Sequence, residues 1–597
     1  MELLKRNIQI RKLIIEWNPL NNLLPFLKPY WKMVVLAPLL MLVEVIANLF
    51  QPILLAKVID VGIVQHDLTS TMRTSLIMIG FATISLVGGV GCTIVASIAS
   101  QSFGADLRFD LFKKIQNSSY SFLNIFKTSS LITRLTNDIP RVQALVLASL
   151  RIMVRAPLLC IGGIIMTISI SARLSLILLS IMPVLLYITV ILIQKSFPRF
   201  ITIQKRLDRV NTIIRENLSG ARLIKIFVRA SLEKNRFSVA NQELMTTTVE
   251  ANKIVILIMP VIMLIMNLSV VAVIWIGGLQ VNSGTMKIGE VIAVINYFIQ
   301  ILFSLKTMNH FFVLIPRARA SAERIYEVLS SKTDIQSDIQ IDSSPLISGR
   351  ITFENVTFSY NGKKEDPVLK DISFTAQTGE TIAILGTIGS GKSTLVSLIP
   401  RLYDVNQGRI LIDGRDVRTI DLIMLRSLIG MVFQDSILFS ETIKENLKWG
   451  NDKASDQEIF AATQIAQIHE FIQSLPKGYD TPVNQRGVNL SGGQKQRLAI
   501  ARAILKKPLI LILDDSTSMV DLITEKHILK ALKLSLNHMT TFIVTQRIST
   551  VIDVDHILLL DNGRISNQGS PSDLLKSSGM YREFYWSQFE EKVINRE

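Results

Sequence analysis

Residues 381–394 read TIAILGTIGSGKST, and this stretch decides the fold of the C-terminal part of the chain. Its first five residues, Thr381–Leu385, are apolar or β-branched, so they predict a buried strand. An apolar helical segment follows Thr394. The glycine-rich loop between strand and helix lets backbone N–H groups converge on phosphates at the helix N-terminus. The predicted phosphate-binding residues are Gly386, Thr387, Ile388, Gly389, Ser390, Gly391, Lys392, Ser393 and Thr394.

Two side chains of this loop and two carboxylates further along have the chemistry to bind ATP with Mg²⁺. Lys392 places a positive charge near the β- and γ-phosphates, and the Ser393 hydroxyl is a ligand for Mg²⁺. A second apolar strand, Leu509–Leu513, ends at Asp514 and Asp515. We expect Asp514 to bind Mg²⁺, directly or through water. Asp515 would face the γ-phosphate, where a general base contacts the attacking water.

A second glycine-rich helix start, LSGGQ at residues 490–494, lies between these motifs. A hydroxyl and two glycines at a helix N-terminus again favour the binding of an anion. This site cannot serve the phosphates held by Lys392 unless two such domains meet face to face. The predicted anion-binding residues here are Ser491, Gly492, Gly493 and Gln494.

The LSGGQ segment resembles the signature motif of ATP-binding-cassette transporters, and the resemblance extends over nearly the whole chain. It implies that Tyr360, in FSY, stacks on adenine. It also implies that Gln434, in VFQD, contacts Mg²⁺ and faces the membrane domain. Ser518 and Asp521 correspond to a loop that contacts the second cassette of a dimer. The segments LITRLTNDI and RENLSGARLIKIF are similar to cytoplasmic loops of type IV members, the exporter class.

The composition favours a membrane part joined to a soluble part, because the 597 residues are 49% hydrophobic and still 19% charged. We therefore expect a multi-domain fold, an all-α transmembrane domain of six helices followed by an α/β P-loop NTPase cassette. The expected divisions are an N-terminal cytoplasmic segment with an interfacial helix at 1–32, a transmembrane domain at 33–315, a linker at 316–348 and the cassette at 349–597.

Six apolar stretches are long enough to cross about 30 Å of hydrocarbon at about 1.5 Å per residue. The long connections 101–148 and 195–253 are rich in Lys and Arg, whereas the short ones are not. The positive-inside rule places both long loops, both termini and the cassette in the cytoplasm of a cell-membrane protein. We expect these loops to be spanning helices prolonged below the membrane. The predicted spans are 33–56, 75–99, 149–170, 174–194, 254–280 and 288–312.

The formal net charge of +16 suggests anionic membrane lipid as a partner rather than nucleic acid. A nucleic-acid partner is excluded because no basic stretch is interleaved with stacking aromatic residues. Both cysteines, Cys92 and Cys160, lie in apolar segments, which excludes a disulfide framework or a cysteine-based metal site.

Polar residues also occur in or near the predicted spans, among them Glu44. For Glu44, bonding between helices or a water-filled cavity is favoured over contact with substrate. Arg151 and Arg155 are expected near the cytoplasmic boundary, with their charged ends directed toward water. The other polar residues are Asn48, Asn267, Asn296 and Gln300.

Two positions depart from the family pattern at the site of hydrolysis. Asp515 stands where the family usually has Glu, and Gln546, in TTFIVTQRIST, stands where it usually has His. A carboxylate withdrawn by one methylene is displaced by about 1 Å, which can cost about 10²-fold in rate. Glutamine cannot become a cation near neutral pH. Gln485, where Glu is common, is a further departure.

The sequence therefore predicts that Asp515, Gln546 and Gln434 form a catalytic set that hydrolyses ATP slowly. We expect a second half-transporter of different sequence as partner, with this chain lending its signature residues to the partner's site. The resemblance is to the degenerate-site subunit of heterodimeric bacterial multidrug exporters. The expected substrate is an unidentified amphipathic, drug-like or lipid-like small molecule, exported by alternating access.

Two other functions remain open at this point. A homodimeric exporter could work slowly with Asp515 and Gln546, or the cassettes of a regulatory membrane protein could sense ATP without transport. Import is disfavoured, because importers of this superfamily usually carry cassette and membrane domain on separate chains.

Overall fold

The computed structural model describes residues 18–331, 346–360, 367–535 and 538–594. Within them the chain forms two compact units. The first contains residues 18–116 and 129–331, and the second contains 117–128 and 346–594.

The first unit consists of helices. A short helix α1 (Asn18–Asn21) and a 3₁₀ turn (Leu24–Tyr30) precede the first long helix. Each of the six predicted spans lies within one long helix, which confirms their helical structure. The six long helices among the described residues are α2 (Trp31–Lys57), α3 (Leu68–Gln116), α6 (Ile139–Ile170), α7 (Ala172–Ser219), α9 (Ala230–Asn282) and α10 (Ile288–Ser330).

Five stretches in the described part of the unit are long and apolar enough to cross a membrane. They lie in α2, α3, α6, α9 and α10, and a shorter apolar stretch, Ala172–Val184, begins α7. The helices also continue past the predicted spans, as in α3 to Gln116 and α7 to Ser219. The expected prolongation of spanning helices is confirmed.

Helix α10 continues through the first part of the segment expected as a linker, as far as Ser330. The reason is an apolar stripe at helical spacing, since Ala318, Ala322, Ile325 and Val328 are all buried. The remainder of the expected linker, 332–345, lies outside the described residues.

Short elements complete the first unit. A π-helical turn extends α2, and another precedes α6, where Arg134 and Asp138 are buried. The elements are the π-helical turns Val58–Ile63 and Arg134–Asp138 and the helices α5 (Thr128–Thr133) and α8 (Ala221–Ile226).

A buried carboxylate joins the start of α6 to α10. Asp138 is fully buried and accepts hydrogen bonds from Ser321 Oγ at 2.9 Å and from Arg324 Nε at 2.8 Å. Arg134, also buried, donates to Glu327 at 2.8 Å. Charged groups removed from water need partners of this kind, so this cluster joins the two helices below the predicted spans.

The second unit contains two sheets. An antiparallel sheet has the order β2-β1-β4-β5, and a six-stranded sheet has the order β10-β9-β3-β8-β7-β6. In the larger sheet β6, β7, β8, β3 and β9 run parallel, and β10 pairs antiparallel with β9. The strands are β1 (Ile351–Phe358), β2 (Leu369–Ala376), β3 (Thr381–Gly386), β4 (Gln407–Ile412), β5 (Arg415–Asp416), β6 (Ile429–Val432), β7 (Ile510–Asp514), β8 (Thr540–Val544), β9 (His556–Asp561) and β10 (Arg564–Gly569).

Helices cover these sheets, and the predicted α/β class of the cassette is confirmed. The central strands β7 and β8 are buried along their whole length, as parallel strands covered on both faces must be. The helices are α11 (Lys392–Leu398), α12 (Leu422–Ser427), α13 (Ile443–Lys448), α14 (Asp456–Ile465), α15 (His469–Ser474), α16 (Gly492–Leu505), α17 (Leu522–Ser535), α18 (Ile548–Val551), α19 (Pro571–Ser577) and α20 (Gly579–Ile594), with 3₁₀ turns at Gly478–Asp480 and Gln485–Gly487.

One segment of the expected transmembrane range belongs to the second unit. Residues 117–128 carry helix α4 (Tyr120–Phe126), which packs on cassette residues. Asn124 donates a hydrogen bond to the hydroxyl of Tyr403 at 3.0 Å, and the Tyr120 ring meets the Tyr403 ring edge-on. The segment that connects α3 to α5 therefore belongs to the second unit.

We expect Asp138→Ala to destabilise the protein by about 3 kcal/mol, because Arg324 would lose its charged partner and Ser321 its acceptor. The thermal unfolding temperature in detergent measures this. The matched control is Glu216→Ala, which breaks the exposed pair with Arg236 and should change stability by less than about 1 kcal/mol. Equal effects of the two substitutions would contradict the proposed joining role.

Candidate functional site

The loop between β3 and α11 has the backbone conformation that its glycines predict. Gly389 and Gly391 have φ angles of 83° and 101°, in the left-handed region that favours glycine. At Gly386 the requirement is close approach, because a methyl group would overlap the carbonyl oxygen of Leu560 on β9. The loop is therefore held tightly against the sheet at the start of α11.

Lys392 lies folded into this loop. Its side chain is buried, and its ammonium donates to the carbonyl oxygens of Gly386 at 2.8 Å and Thr387 at 2.7 Å. Burial lowers the pKa of Lys392, while the nearby charges of Asp515 and Asp514 act in the opposite direction. The loop thus presents a desolvated positive charge where phosphates would enter.

The first carboxylate is at the end of β7. Ser393 Oγ donates to Asp514 Oδ1 at 2.8 Å, which connects the phosphate loop to this strand. Burial raises the pKa of Asp514, and the hydrogen bond from Ser393 partly opposes this shift.

The second carboxylate, Asp515, follows in an unusual backbone conformation. Its φ angle is 47°, and its N–H donates to the carbonyl of Val544 on β8 at 3.0 Å. Asp is among the residues that tolerate this left-handed region. Gln434 Nε2 donates to Asp515 Oδ2 at 3.2 Å. Burial raises the pKa of Asp515, and the positive charges of Arg547 and Lys392 partly oppose this rise.

Gln546 follows β8, and its side chain is exposed. The hydrogen bond that holds this residue in place is made by its backbone. Gln588, on α20, donates to the carbonyl oxygen of Gln546 at 2.7 Å. The side chain of Gln588 also accepts a hydrogen bond from the N–H of Ile548 at 2.8 Å. One amide group of α20 therefore holds the switch segment on both sides of Arg547.

Arg547 joins the switch segment to the loop after Asp515. It donates to the carbonyl oxygens of Ser518 at 2.6 Å and Val520 at 3.1 Å, and to Glu525 at 3.2 Å. Glu525 is buried and also accepts from the hydroxyls of Thr517 and Thr550. Arg547, Glu525 and Gln588 were not predicted from the sequence. The position of Arg547 directly after Gln546 was the one signal for the first of them.

The signature residues begin α16. Ser491 caps the helix, since its Oγ accepts from Gln494 N at 3.3 Å and its own N–H donates to Gln494 Oε1 at 2.8 Å. Gly492 and Gly493 face the loop at Met519, where a methyl group on Gly493 would lie 2.7 Å from the Met519 carbonyl oxygen. Both glycines therefore allow close packing of the helix start on this loop, while Ser491 stays exposed.

Tyr360 stands beside the phosphate loop at the end of β1. Its hydroxyl shares a hydrogen bond with Thr394 Oγ1 at 2.8 Å. Its ring meets those of Phe358 and Tyr403 edge-on, with centroids 5.1 and 5.2 Å apart. The ring is 44% exposed, so one face is available for stacking.

These residues fit ATP and Mg²⁺. The hydroxyl of Ser390 is buried in the loop with no hydrogen-bond partner among the described residues, as expected of a group that meets a ligand. Ser393, Asp514 and Gln434 offer a hydroxyl, a carboxylate and an amide, the oxygen donors that Mg²⁺ takes together with phosphate and water. The structure brings Gln434, Asp514 and Asp515 to the phosphate loop, whereas Ser491–Gln494 pack against the loop at Met519.

Comparisons with known proteins give the same two-part division. Residues 34–305 match the ABC transporter transmembrane region, and residues 369–518 match the ABC transporter family. The chain is 46% identical over 570 residues to the ABC transporter ATP-binding protein YfiB of Bacillus subtilis, covering 96% of this chain and 99% of that protein.

Two further similar proteins have names that state an activity or a bound nucleotide. The ATP-dependent lipid A-core flippase of Syntrophus aciditrophicus is 34% identical, with 86% of each chain covered. A solved structure of a bacterial Atm1-family ABC exporter with ATP bound has a TM-score of 0.77 and 27% identity, covering 94% of this chain and 98% of that one.

Substitution of Gly386 tests the loop geometry. Gly386→Ala should weaken ATP binding at least about tenfold, because the added methyl forces the loop away from β9. Equilibrium binding of a fluorescent ATP analogue to the full-length protein measures the change. Gly579→Ala is the control, since a methyl group there meets no atom within 4 Å. Unchanged ATP affinity in Gly386→Ala would contradict this account of the loop.

Proposed function

We propose that this chain forms half of a heterodimeric exporter. The chain belongs to the ABC transporter family and carries the transmembrane region and the cassette of that family on one polypeptide. The chain is an ATP-driven, multi-pass membrane exporter with a cytoplasmic cassette. In the proposed dimer its own site hydrolyses ATP slowly, while its signature residues complete the partner's site. The transported molecule is an amphipathic or lipid-like compound, a class to which the name of the flippase relative also points.

The observation that carries this proposal is that two of the departures from the family pattern, Asp515 and Gln546, follow the ends of the adjacent strands β7 and β8, next to intact binding motifs. Asp515 is one methylene shorter than the usual glutamate, and its carboxylate already accepts a hydrogen bond from Gln434. Displacement of a base by about 1 Å can cost about 10²-fold in rate. Gln546 cannot supply the positive charge of a protonated histidine. Slow turnover at this site follows from both changes.

The binding residues have no comparable defect. Tyr360 would stack on adenine, and Lys392 would exchange its carbonyl partners for phosphate oxygens. Ser393, Asp514 and Gln434 would hold Mg²⁺, which neutralises phosphate charge when it is bound. This chain would therefore retain ATP at its own loop while the partner's loop turns over.

The signature supports the requirement for a second subunit. Within this chain, Ser491 Oγ accepts the hydrogen bond of the Gln494 N–H, and both glycines pack against the loop at Met519. The N-terminus of α16, a helix of 14 residues, favours negative charge. In the proposed dimer that charge comes from ATP on the partner's phosphate loop.

Covalent connection would transmit cassette movement to the membrane helices. Helix α4 packs with the cassette through Tyr120 and Asn124, and its chain continues into α3 on one side and α5 on the other. Closure of two cassettes on ATP would therefore displace the ends of these helices, as alternating access requires.

The test is ATP hydrolysis by the full-length chain in proteoliposomes, alone and with candidate half-transporters from the same genome. We expect slow turnover alone and fast turnover with the right partner. The double substitution Asp515→Glu with Gln546→His should raise turnover of the chain alone at least about tenfold. Lys392→Ala in the same background is the control, since it removes the phosphate-binding charge and should abolish the gain.

The two subunits should respond differently to removal of their acids. Asp515→Ala should leave most of the activity of the heterodimer, whereas loss of the partner's glutamate should remove it. Full turnover by the unmodified chain alone would refute the heterodimer, whereas slow ATP-driven transport that no candidate partner accelerates would support a slow homodimer instead. Nucleotide binding without ATP-dependent transport in either form would support a regulatory protein.

A further inference from the structure

A cavity of about 590 Å³ opens within the membrane unit, between helices α2, α3, α6 and α10. It combines charged groups from α2 and α6 with an apolar wall from α3. The cavity lining includes Glu44, Arg151, Arg155, Leu86, Val90 and Ile94.

A carboxylate and a guanidinium meet in this cavity. Arg155 Nη2 lies 3.0 Å from Glu44 Oε1, and the side chains are 48% and 10% exposed, respectively. The sequence predicts that Arg155 directs its charge toward water, but the structure pairs it with Glu44. This pair neutralises the buried carboxylate, which therefore does not attract a cation.

Arg151 adds a second positive charge to the same cavity. Its Nε is buried and has no hydrogen-bond partner among the described residues. A buried donor without a partner requires an explanation, such as a ligand that accepts its hydrogen bond. Two guanidinium groups thus face one carboxylate, and the positive charge in excess favours an anion.

Close contact between α2 and α3 holds the Glu44 carboxylate at the cavity. A methyl group on Gly88 would lie 3.0 Å from the carbonyl oxygen of Leu40, and one on Gly89 would lie 3.0 Å from Glu44 Oε2. Side chains at these two positions would therefore press on α2 and its carboxylate. The two glycines let the helices approach and hold Glu44 beside the cavity.

The apolar wall extends along α3 on both sides of the Glu44 carboxylate. Counted from the predicted cytoplasmic boundary at about 1.5 Å per residue, Ile94 lies about 8 Å inside, Arg155 about 9 Å and Leu86 about 20 Å. Leu86, Val90 and Ile94 share one face of α3 and are each at least half exposed. An acyl chain could lie along this face while its headgroup stays near the arginines.

We propose that this cavity binds an amphipathic anion, an acyl or alkyl chain with a carboxylate or phosphate headgroup, as the transported substrate. Arg151 donates to the headgroup through its unpartnered Nε, and Arg155 contributes a second donor beside Glu44. Charge-assisted hydrogen bonds from guanidinium to carboxylate or phosphate are strong and geometrically selective. The role as substrate rests on the export function proposed above, whereas the binding itself does not.

Binding without nucleotide tests the site independently of hydrolysis. The full-length protein is placed in nanodiscs of neutral phosphatidylcholine and titrated with four dodecyl probes: dodecanoate, dodecyl phosphate, dodecyltrimethylammonium and dodecyl maltoside. We expect at least one of the two anions to bind, and to bind tighter than the cation or the neutral probe. A preference between carboxylate and phosphate would identify the headgroup.

Three substitutions separate charge from packing. Arg151→Gln should raise the Kd of the preferred anion about tenfold, and Arg151→Lys should restore most of the affinity. Glu44→Gln should lower that Kd, because it releases Arg155 from its partner. Arg173→Gln is the matched control, since this exposed arginine lies at the start of α7 and does not line the cavity.

Tighter binding of the cation, equal binding of all four probes, or an unchanged Kd in a folded Arg151→Gln protein would overturn the proposal. ATP binding at the cassette and the thermal unfolding temperature confirm that each variant is folded. Failure of ATP-driven transport with selective anion binding intact would refute export while leaving the site in place.

Discussion

A buried ammonium group organises the nucleotide site of this protein. Lys392 is desolvated at the start of α11, and two carbonyl oxygens of the loop satisfy it. Asp514 and Asp515 stand close enough to influence its pKa. Since unpaired buried charge is costly, the loop, the Ser393–Asp514 bond and the strand ends form one interdependent arrangement. A phosphate bound here would replace the carbonyl oxygens as the partner of Lys392, and burial of the ammonium would strengthen their attraction.

The contacts around this site also connect it to the switch segment, the signature helix and helix α4. Arg547 joins the switch segment to the loop after Asp515, and the signature helix packs on the same loop through Gly493. Tyr403 contacts Tyr360 on one side and helix α4 on the other. The phosphate loop, the signature helix and helix α4 are therefore joined by directly packed groups within the second unit. Two of the departures from the family pattern, at Asp515 and Gln546, lie within this connected region.

Much of the fold could be predicted from patterns that are local in sequence. Apolar runs of sufficient length predicted six helices, and the strand, glycine-rich loop and helix around Lys392 predicted the cassette. Other features depend on residues far apart in the chain. Nothing near Tyr120 shows that α4 packs on Tyr403, and nothing near Gln588 shows that it holds Gln546. The extent of α10 was missed because its buried stripe is made partly of small alanines, which give a weak hydropathy signal.

The sequence by itself determined the family, the division into a membrane part and a cassette, and the two unusual residues at the site of hydrolysis. These follow from residue identity, spacing and period, which act over a few turns or strands. Three features came from the tertiary structure alone: Arg155 pairs with Glu44, Arg151 has a buried Nε with no hydrogen-bond partner among the described residues, and Asp515 takes a left-handed conformation. The physical reason is that charge pairing and burial depend on distances between helices, and those distances are set by packing at small residues such as Gly88 and Gly89.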